Sequence, residues 1–189
     1  MSSIEKNIAQ FSQRYNFEKR NYNIIIYSPD ATGKYDFIIE ILSNYYKSRG
    51  IKNIDNIDLC PDVFYLSLPL YNKSGKQERV LNNYERLLFE FGLEEKFDNS
   101  RIGSDISIEQ IRQLKAFTNL SPIYDHKFVI INNCNYLNNQ SSAALLKTLE
   151  ETNSPCIFLL LASELESIKD TIRSRCHFYK YDYEDSKYD

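Results

Sequence analysis

Four short runs along the chain are apolar almost without interruption, and amphipathic stretches lie between them. The runs cover 23–27 (NIIIY), 63–68 (VFYLSL), 127–131 (KFVII) and 156–162 (CIFLLLA), and the mixed segment 177–181 (HFYKY) is a fifth strand candidate. An unbroken apolar run of strand length predicts a parallel strand covered on both faces. The stretches between them repeat apolar residues at helical spacing. Residues 35–48 gather Phe37, Ile38, Ile41, Leu42 and Tyr45 on one face, with Gly50 just beyond as a stop. Residues 77–91 line up Val80, Tyr84, Leu87, Leu88 and Phe91. Residues 107–117 line up Ile108, Ile111 and Leu114 behind an N-cap at Ser107. Residues 138–151 are predicted to turn Ala143, Ala144, Leu146 and Leu149 inward, and shorter helices are predicted over 3–15 and 164–171. Loop signals fall at 71–76 (YNKSGK) and from Gly92 through Gly103. Strands and helices alternate throughout, which predicts an α/β fold built on a doubly wound parallel sheet. The expected organisation is one domain over 1–180 and an acidic, disordered tail over 181–189, with no internal repeat and no linker to a second domain.

Composition narrows the chemistry. With 189 residues, 42% apolar and 26% charged, the chain suits one globular domain with a sizeable core. A net charge of −3 without a basic run argues against nucleic-acid binding as its main energetic business. No apolar run approaches the roughly 20 residues that cross a bilayer, and the first residues lack a signal-peptide core. A cytoplasmic protein without membrane contact is expected. Cys60, Cys134, Cys156 and Cys176 form no Cys-x-x-Cys pair and His occurs twice, so neither a zinc site nor a disulfide framework is expected. Abundant Asn, Ile, Lys and Tyr with no Trp fit an AT-rich genome better than any chemistry.

The first strand runs into YSPDATGKYDF (27–37), which then opens a helix. A phosphate-binding loop sits at such a junction, and it needs inward backbone amides, a Lys for the terminal phosphates and a short hydroxyl for magnesium. Gly33 and Lys34 match the pattern. Ser28 holds the first glycine position and is small, but it adopts positive φ less cheaply than glycine. Tyr35 stands where Ser or Thr belongs, with its oxygen at the far end of a ring. Taken alone, Gly-Lys between a strand and a helix is better explained as a turn with a surface lysine. The other half of such a site is an acidic pair at the end of a second apolar strand, one member holding magnesium and the other polarising water. Here the strand over 127–131 ends in Asn132 and Asn133. An amide brings no negative charge to a metal and is no general base. An active hydrolase is therefore not expected.

Downstream the text becomes more specific. SSAALLKTLEE (141–151), CIFLLLAS (156–163) and TIRSRC (171–176) follow in order, preceded by CPDVFYL (60–66) and the stretch 106–131. In these segments, from about residue 20 to 180, the chain resembles the AAA+ clamp-loader family, and within it the delta-prime subunits of bacterial DNA polymerase III. The resemblance implies an AAA+ RecA-like sheet of five parallel strands in the order 5-1-4-3-2. It also implies a rigid end member of a pentameric loader, with a degraded nucleotide site formed by Ser28, Gly33, Lys34, Tyr35, Asn132 and Asn133. The implied partners are the gamma/tau motor subunits and the delta subunit, with DNA touched only indirectly. The Ser-Arg-Cys arginine, Arg175 by position, would act as an arginine finger in a neighbour's ATP site, with Arg173 as runner-up. Without the signature, a surface ion pair to Asp170 would account for Arg175.

Several features depart from the family pattern. Only Cys60 stands where a four-cysteine zinc module often precedes the second strand, so no zinc is expected. Ala162 replaces the residue that senses γ-phosphate at the end of the fourth strand. The helical lid and the collar of the family are expected to be absent, and the isolated domain is expected to be monomeric. Segment 69–104 has no close counterpart in the family pattern and is expected to be a partner-facing insertion or a helix over the sheet edge. No cofactor is expected, and ATP binding is expected to be weak or absent. Two alternatives stay open: a stand-alone adaptor on the same fold, and a weak nucleotide-binding ATPase.

Overall fold

Alternate residues of each central strand enter opposite cores, which is why the strand sequences read as continuous apolar runs. In β1 (Asn23–Tyr27), Ile24 and Ile26 join one core and Ile25 the other. In β6 (Lys127–Ile131), Phe128 and Ile130 face the first core and Val129 and Ile131 the second. The same split runs along β7 (Cys156–Ala162), all seven of whose residues are buried. The computed structural model describes residues 3–17, 21–29, 33–51, 60–90 and 101–182. The expected loop residues 30–32, Phe91, Gly92 and most of the turn-rich stretch after it, and the tail over 183–189 lie outside them.

With β2 (Val63–Leu66) and β8 (His177–Lys180), these strands form a five-stranded sheet in the order β2-β6-β7-β1-β8. Every pair is parallel. Counting only these five strands along the chain, this is the expected order 5-1-4-3-2. Helices α1 (Ser3–Arg14) and α2 (Lys34–Ser48) cover the first face. Phe37 of α2 stacks on Tyr179 of β8, with ring centroids 5.6 Å apart, and Phe11 of α1 meets both rings edge-on. Asn7 ties α1 to β8 and the residues just after it: its side-chain amide donates to the Asp182 carbonyl at 2.8 Å, and the Tyr179 hydroxyl donates to it at 3.1 Å. Tyr181, expected at the start of the tail, is buried against Phe37.

The second face is covered by α4 (Ile108–Thr118), α5 (Asn139–Glu151) and the short α6 (Asp170–Arg173). Ser107 caps α4, as its sequence predicts, and Gln110 completes a reciprocal box with it. In α5 the inward positions are Ser141, Ser142, Leu145 and Thr148. Ala143 is exposed, and Ala144, Leu146 and Leu149 are only half-buried. The predicted face is therefore displaced. Ser141 and Thr148 tolerate burial because their hydroxyls donate to the Asn138 and Ala144 carbonyls. The predicted helix over 164–171 reduces to α6. Upstream of it the Asn135 side chain takes up backbone groups of a turn, accepting from the Ser163 N–H and donating to the Glu164 carbonyl.

Segment 69–104 differs most from the sequence-based expectation. β3 (Pro69–Tyr71), β4 (Gln77–Val80) and β5 (Arg101–Ile102) form a small antiparallel sheet with β3 in the centre. The predicted helix over 77–91 is thus a strand followed by α3 (Asn83–Glu90). Asn82 sets the start of α3: its side-chain oxygen accepts from the Glu85 N–H at 2.9 Å, and the Glu85 carboxylate accepts from the Asn82 N–H at 3.0 Å. Tyr84, expected on the buried face, is exposed.

Candidate functional site

The strand–loop–helix junction and the end of β6 meet at the carboxyl edge of the large sheet, the edge where open α/β sheets hold ligands. Gly33 caps α2 with φ 83°, a conformation that favours glycine, so the Gly of Gly-Lys is required by the backbone alone. Lys34 is not the surface lysine of the simpler explanation. It is 4% exposed, and its ammonium donates to the Ser28 carbonyl at 2.9 Å. Ser28 is itself buried and anchored through its N–H to the Ala162 carbonyl at 3.2 Å.

Asn132 and Asn133 are both buried. The Asn132 N–H continues the sheet to the Leu66 carbonyl, and its side-chain amide donates to the Tyr65 hydroxyl at 2.9 Å. Tyr65 in turn takes the Tyr35 ring edge-on at 5.6 Å, so Tyr35 joins the packing around Asn132. Asn133 sits at φ 63°, a left-handed position that Asn adopts more readily than most residues. Its side-chain oxygen accepts from Arg86 of α3 at 3.3 Å. Arg86 is 3% exposed and also donates to the Asn83 side-chain oxygen at 3.2 Å.

Lys34, Arg86, Asn133 and Ser163 line one cavity of about 250 Å³. Sequence reasoning missed Arg86, Asn83, Tyr65 and Ser163. The one available signal was the Asn82-x-x-Glu85 capping pattern, which fixes the phase of α3. Ala162, weighed as the sensor position, lies in the second core, and the neighbouring Ser163 is the residue that reaches the cavity.

Arg79 of β4 grips Glu85 with two hydrogen bonds of 2.5 Å and so holds the first turn of α3, next to Arg86. The Arg79 fork holds the Glu85 carboxyl below the usual carboxylate range, partial burial opposes this, and the Asn82 N–H adds to it. A carboxyl lowered on folding contributes stability that is complete above its unfolded value of about 4.3 and is lost as pH falls through its folded value. Wild type is therefore expected to lose stability relative to Glu85→Gln as pH drops from about 5 to about 3. Urea titrations across that window check it, and parallel curves for the two proteins would rule it out.

Arg175 lies elsewhere. It precedes β8, whose first residue, His177, is level with Ile24 near the start of β1. Asn23 donates to the Arg175 carbonyl at 3.2 Å, which pins the turn at the amino edge of the sheet. At about 3.3 Å per residue, the length of β1 puts roughly 13 Å between that edge and the cavity. The Arg175 side chain is 42% exposed and pairs with Glu150 of α5, while Asp170 is taken by Arg173. Its remaining contacts are local, to the Ser174 hydroxyl at 3.0 Å and the Thr171 carbonyl at 3.4 Å.

Burial makes three of the four thiols poor nucleophiles. Burial pushes Cys156 and Cys176 up to about 12 and Cys134 higher still. Among the described residues no group of three or more His, Cys, Asp and Glu side chains is placed to hold a metal, and no helix is long and apolar enough to cross a membrane.

Comparison with known proteins gives concordant matches. Residues 5–184 match the family described as DNA polymerase III, delta subunit. A protein of Acanthamoeba polyphaga mimivirus described as a replication factor C small subunit is 26% identical over 161 residues, 83% of this chain and 39% of that protein. The DNA polymerase III subunit gamma of Buchnera aphidicola is 36% identical over 78 residues, 41% of this chain and 22% of that protein. The chain thus spans well under half the length of either relative. A gamma subunit-related protein of Thermotoga maritima superposes with a TM-score of 0.63 at 19% identity, covering 95% of this chain and 47% of that one, and so shares the fold.

Proposed function

The chain belongs to the DNA polymerase III delta-subunit family of AAA+ clamp-loader proteins, and from that premise we propose that it is a delta-prime-like, non-hydrolysing subunit of a clamp loader. It acts as a stator in the cytoplasm, stands beside gamma/tau-type motor subunits and a delta subunit during sliding-clamp loading, and donates Arg175 to the neighbouring motor's ATP site. DNA is reached through those neighbours, in keeping with a net charge of −3.

The observation that carries this reading is the state of the strand end at β6. Hydrolysis needs a carboxylate to hold magnesium and a base to polarise water. Both places hold buried amides, committed to Tyr65 and Arg86. Tyr35, in the place of the metal-binding hydroxyl, is packed against Tyr65. The placement of Arg175 supports the second half of the reading. A guanidinium at the amino edge of the sheet is remote from its own cavity and accessible to a neighbour.

The full chain, with magnesium, ATP and primed DNA, is expected to release no phosphate above buffer. Added to the other loader subunits, it is expected to raise their DNA-stimulated turnover. Phosphate release by the chain alone, abolished in Lys34→Ala, would overturn the reading.

A further inference from the structure

The last turn of α5 carries two carboxylates, Glu150 and Glu151, and no cation. Carboxylates there face the negative end of the helix dipole, so the helix itself does not account for them. Each is answered from another element. Glu151 pairs with Lys115 of α4 at 2.7 Å, and Glu150 pairs with Arg175. Asp170, the carboxylate on the turn before Arg175, is bound to Arg173 instead. We propose that Glu150 parks the Arg175 guanidinium between encounters and competes for it with the γ-phosphate of a neighbouring motor's ATP. Glu150 is then a positioning residue that sets how much ATP is needed before the finger engages. The inference rests on the finger reading of Arg175 and adds a control element to it.

The guanidinium is held on two of its three nitrogens. Nε donates to a Glu150 carboxylate oxygen, and Nη1 donates to the Ser174 hydroxyl at 3.0 Å and the Thr171 carbonyl at 3.4 Å. Nη2 has no hydrogen-bond partner among the described residues. Of these contacts only the one to Glu150 joins two charges, so the carboxylate is the anion that keeps the side chain where it lies. The backbone on both sides is fixed. Arg175 is tied to Asn23 and Ile172, and the end of α5 is closed by the Thr152 N–H on the Thr148 carbonyl. The exchange therefore moves side chains alone. Both partners are about two-fifths exposed, 42% and 41%, so a phosphate presented from outside can reach the pair. A carboxylate offers one negative charge and two oxygens, whereas a γ-phosphate offers more charge and three oxygens to the same fork. The phosphate wins, but it engages with an apparent affinity reduced by the share of time the guanidinium spends on Glu150. For an exposed pair that reduction is at most about fivefold.

Loaders assembled from the full chain and its neighbouring subunits test this, with DNA-stimulated phosphate release followed against ATP concentration. Glu150→Gln removes the charge and keeps the shape. It is expected to lower the ATP concentration for half-maximal release by about two- to fivefold and to leave the maximal rate at the wild-type value. Glu151→Gln removes the same charge from the same turn without touching Arg175, and it is expected to leave both quantities unchanged. Melting curves establish that both variants fold. Three results overturn the proposal: an unchanged half-maximal concentration in Glu150→Gln, a lower maximal rate in that variant, or an equal shift in Glu151→Gln, which would make the effect one of general charge. Arg175→Ala, assayed beside them, separates the two levels of the reading. Full stimulation by Arg175→Ala overturns the finger and the parking together. Lost stimulation by Arg175→Ala beside wild-type ATP dependence in Glu150→Gln overturns the parking alone.

Discussion

Asp62→Ala is expected to destabilise the domain by about 3–5 kcal/mol, a large share of the roughly 5–15 kcal/mol that holds a typical domain folded. Asp62 is the acidic residue of the CPDVFYL stretch. Its side chain is 1% exposed and that of its partner Lys127 is 2% exposed, at 3.8 Å. Asp62 also accepts from the backbone N–H groups of Ile123 (2.8 Å) and Tyr124 (2.5 Å). The carboxylate therefore fixes the loop that leads into β6 as well as answering the lysine. Lys127 has a second contact, its ammonium lying 3.9 Å from the centroid of the Phe117 ring. Truncating Asp62 removes the carboxylate beside the buried ammonium and orphans two amides together. Breaking a buried pair on one side costs more than removing both charges. The double variant Asp62→Ala/Lys127→Met is accordingly expected to lose less than Asp62→Ala alone. Urea denaturation of the two variants measures the difference. A single variant within about 0.5 kcal/mol of wild type, the spread of ordinary surface substitutions, would show the pair to be idle.

The central sheet was legible because its three inner strands are buried on both faces, so that apolar runs such as NIIIY and CIFLLLA have no competing interpretation. The small sheet was hidden because its strands are only three, four and two residues long. In QERV two exposed residues lie between half-buried ends, so no alternation marks the strand, and Val80, Tyr84 and Leu87 fit a helical repeat by accident. Asn82 and Glu85 carried the corrective signal. A helix begun at Asn83 turns about 100° per residue, so Tyr84 and Arg86 point nearly opposite ways, one to solvent and one to the cavity. In the site, Gly33, Lys34, Asn132 and Asn133 could be named from local patterns because each lies beside an apolar strand. Arg86 could not, since a lone arginine on an amphipathic helix ordinarily marks the solvent face. Its role depends on a long-range contact, 47 residues from Asn133. The displaced face of α5 has another cause: serine and threonine return their hydroxyls to the helix backbone, so hydropathy understates how readily they are buried.

Arg175→Ala is expected to lower turnover at the neighbouring motor's ATP site by about a thousandfold, the lower range for arginine fingers supplied from outside a site. The expectation rests on the proposed finger role, with which the position of the residue agrees. At the amino edge of the sheet, roughly 13 Å from its own cavity by the length of β1, it cannot serve the phosphate loop of its own chain. The turn that carries it is held at both ends. The Arg175 N–H donates to the Ile172 carbonyl at 3.0 Å, and its carbonyl accepts from Asn23. Only the side chain is open to rearrange, and its ion pair with Glu150 is solvent-exposed. Such pairs contribute at most about 1 kcal/mol, so a neighbour's γ-phosphate can draw the guanidinium away at little cost. For the same reason Arg175→Ala is expected to melt close to wild type, which separates lost catalysis from lost folding. Arg175→Lys keeps the charge but not the fork and should restore little of the activity. Arg173 provides the internal comparison. It is bound to Asp170 within its own turn and to the Leu165 carbonyl upstream of α6, and its side chain is more covered. Arg173→Ala is expected to leave most of the stimulation in place. Assembled loaders containing each variant, assayed for DNA-stimulated phosphate release, decide between them. Full stimulation by Arg175→Ala would remove the finger from this chain, and its loss in Arg173→Ala alone would transfer the role to the neighbouring arginine.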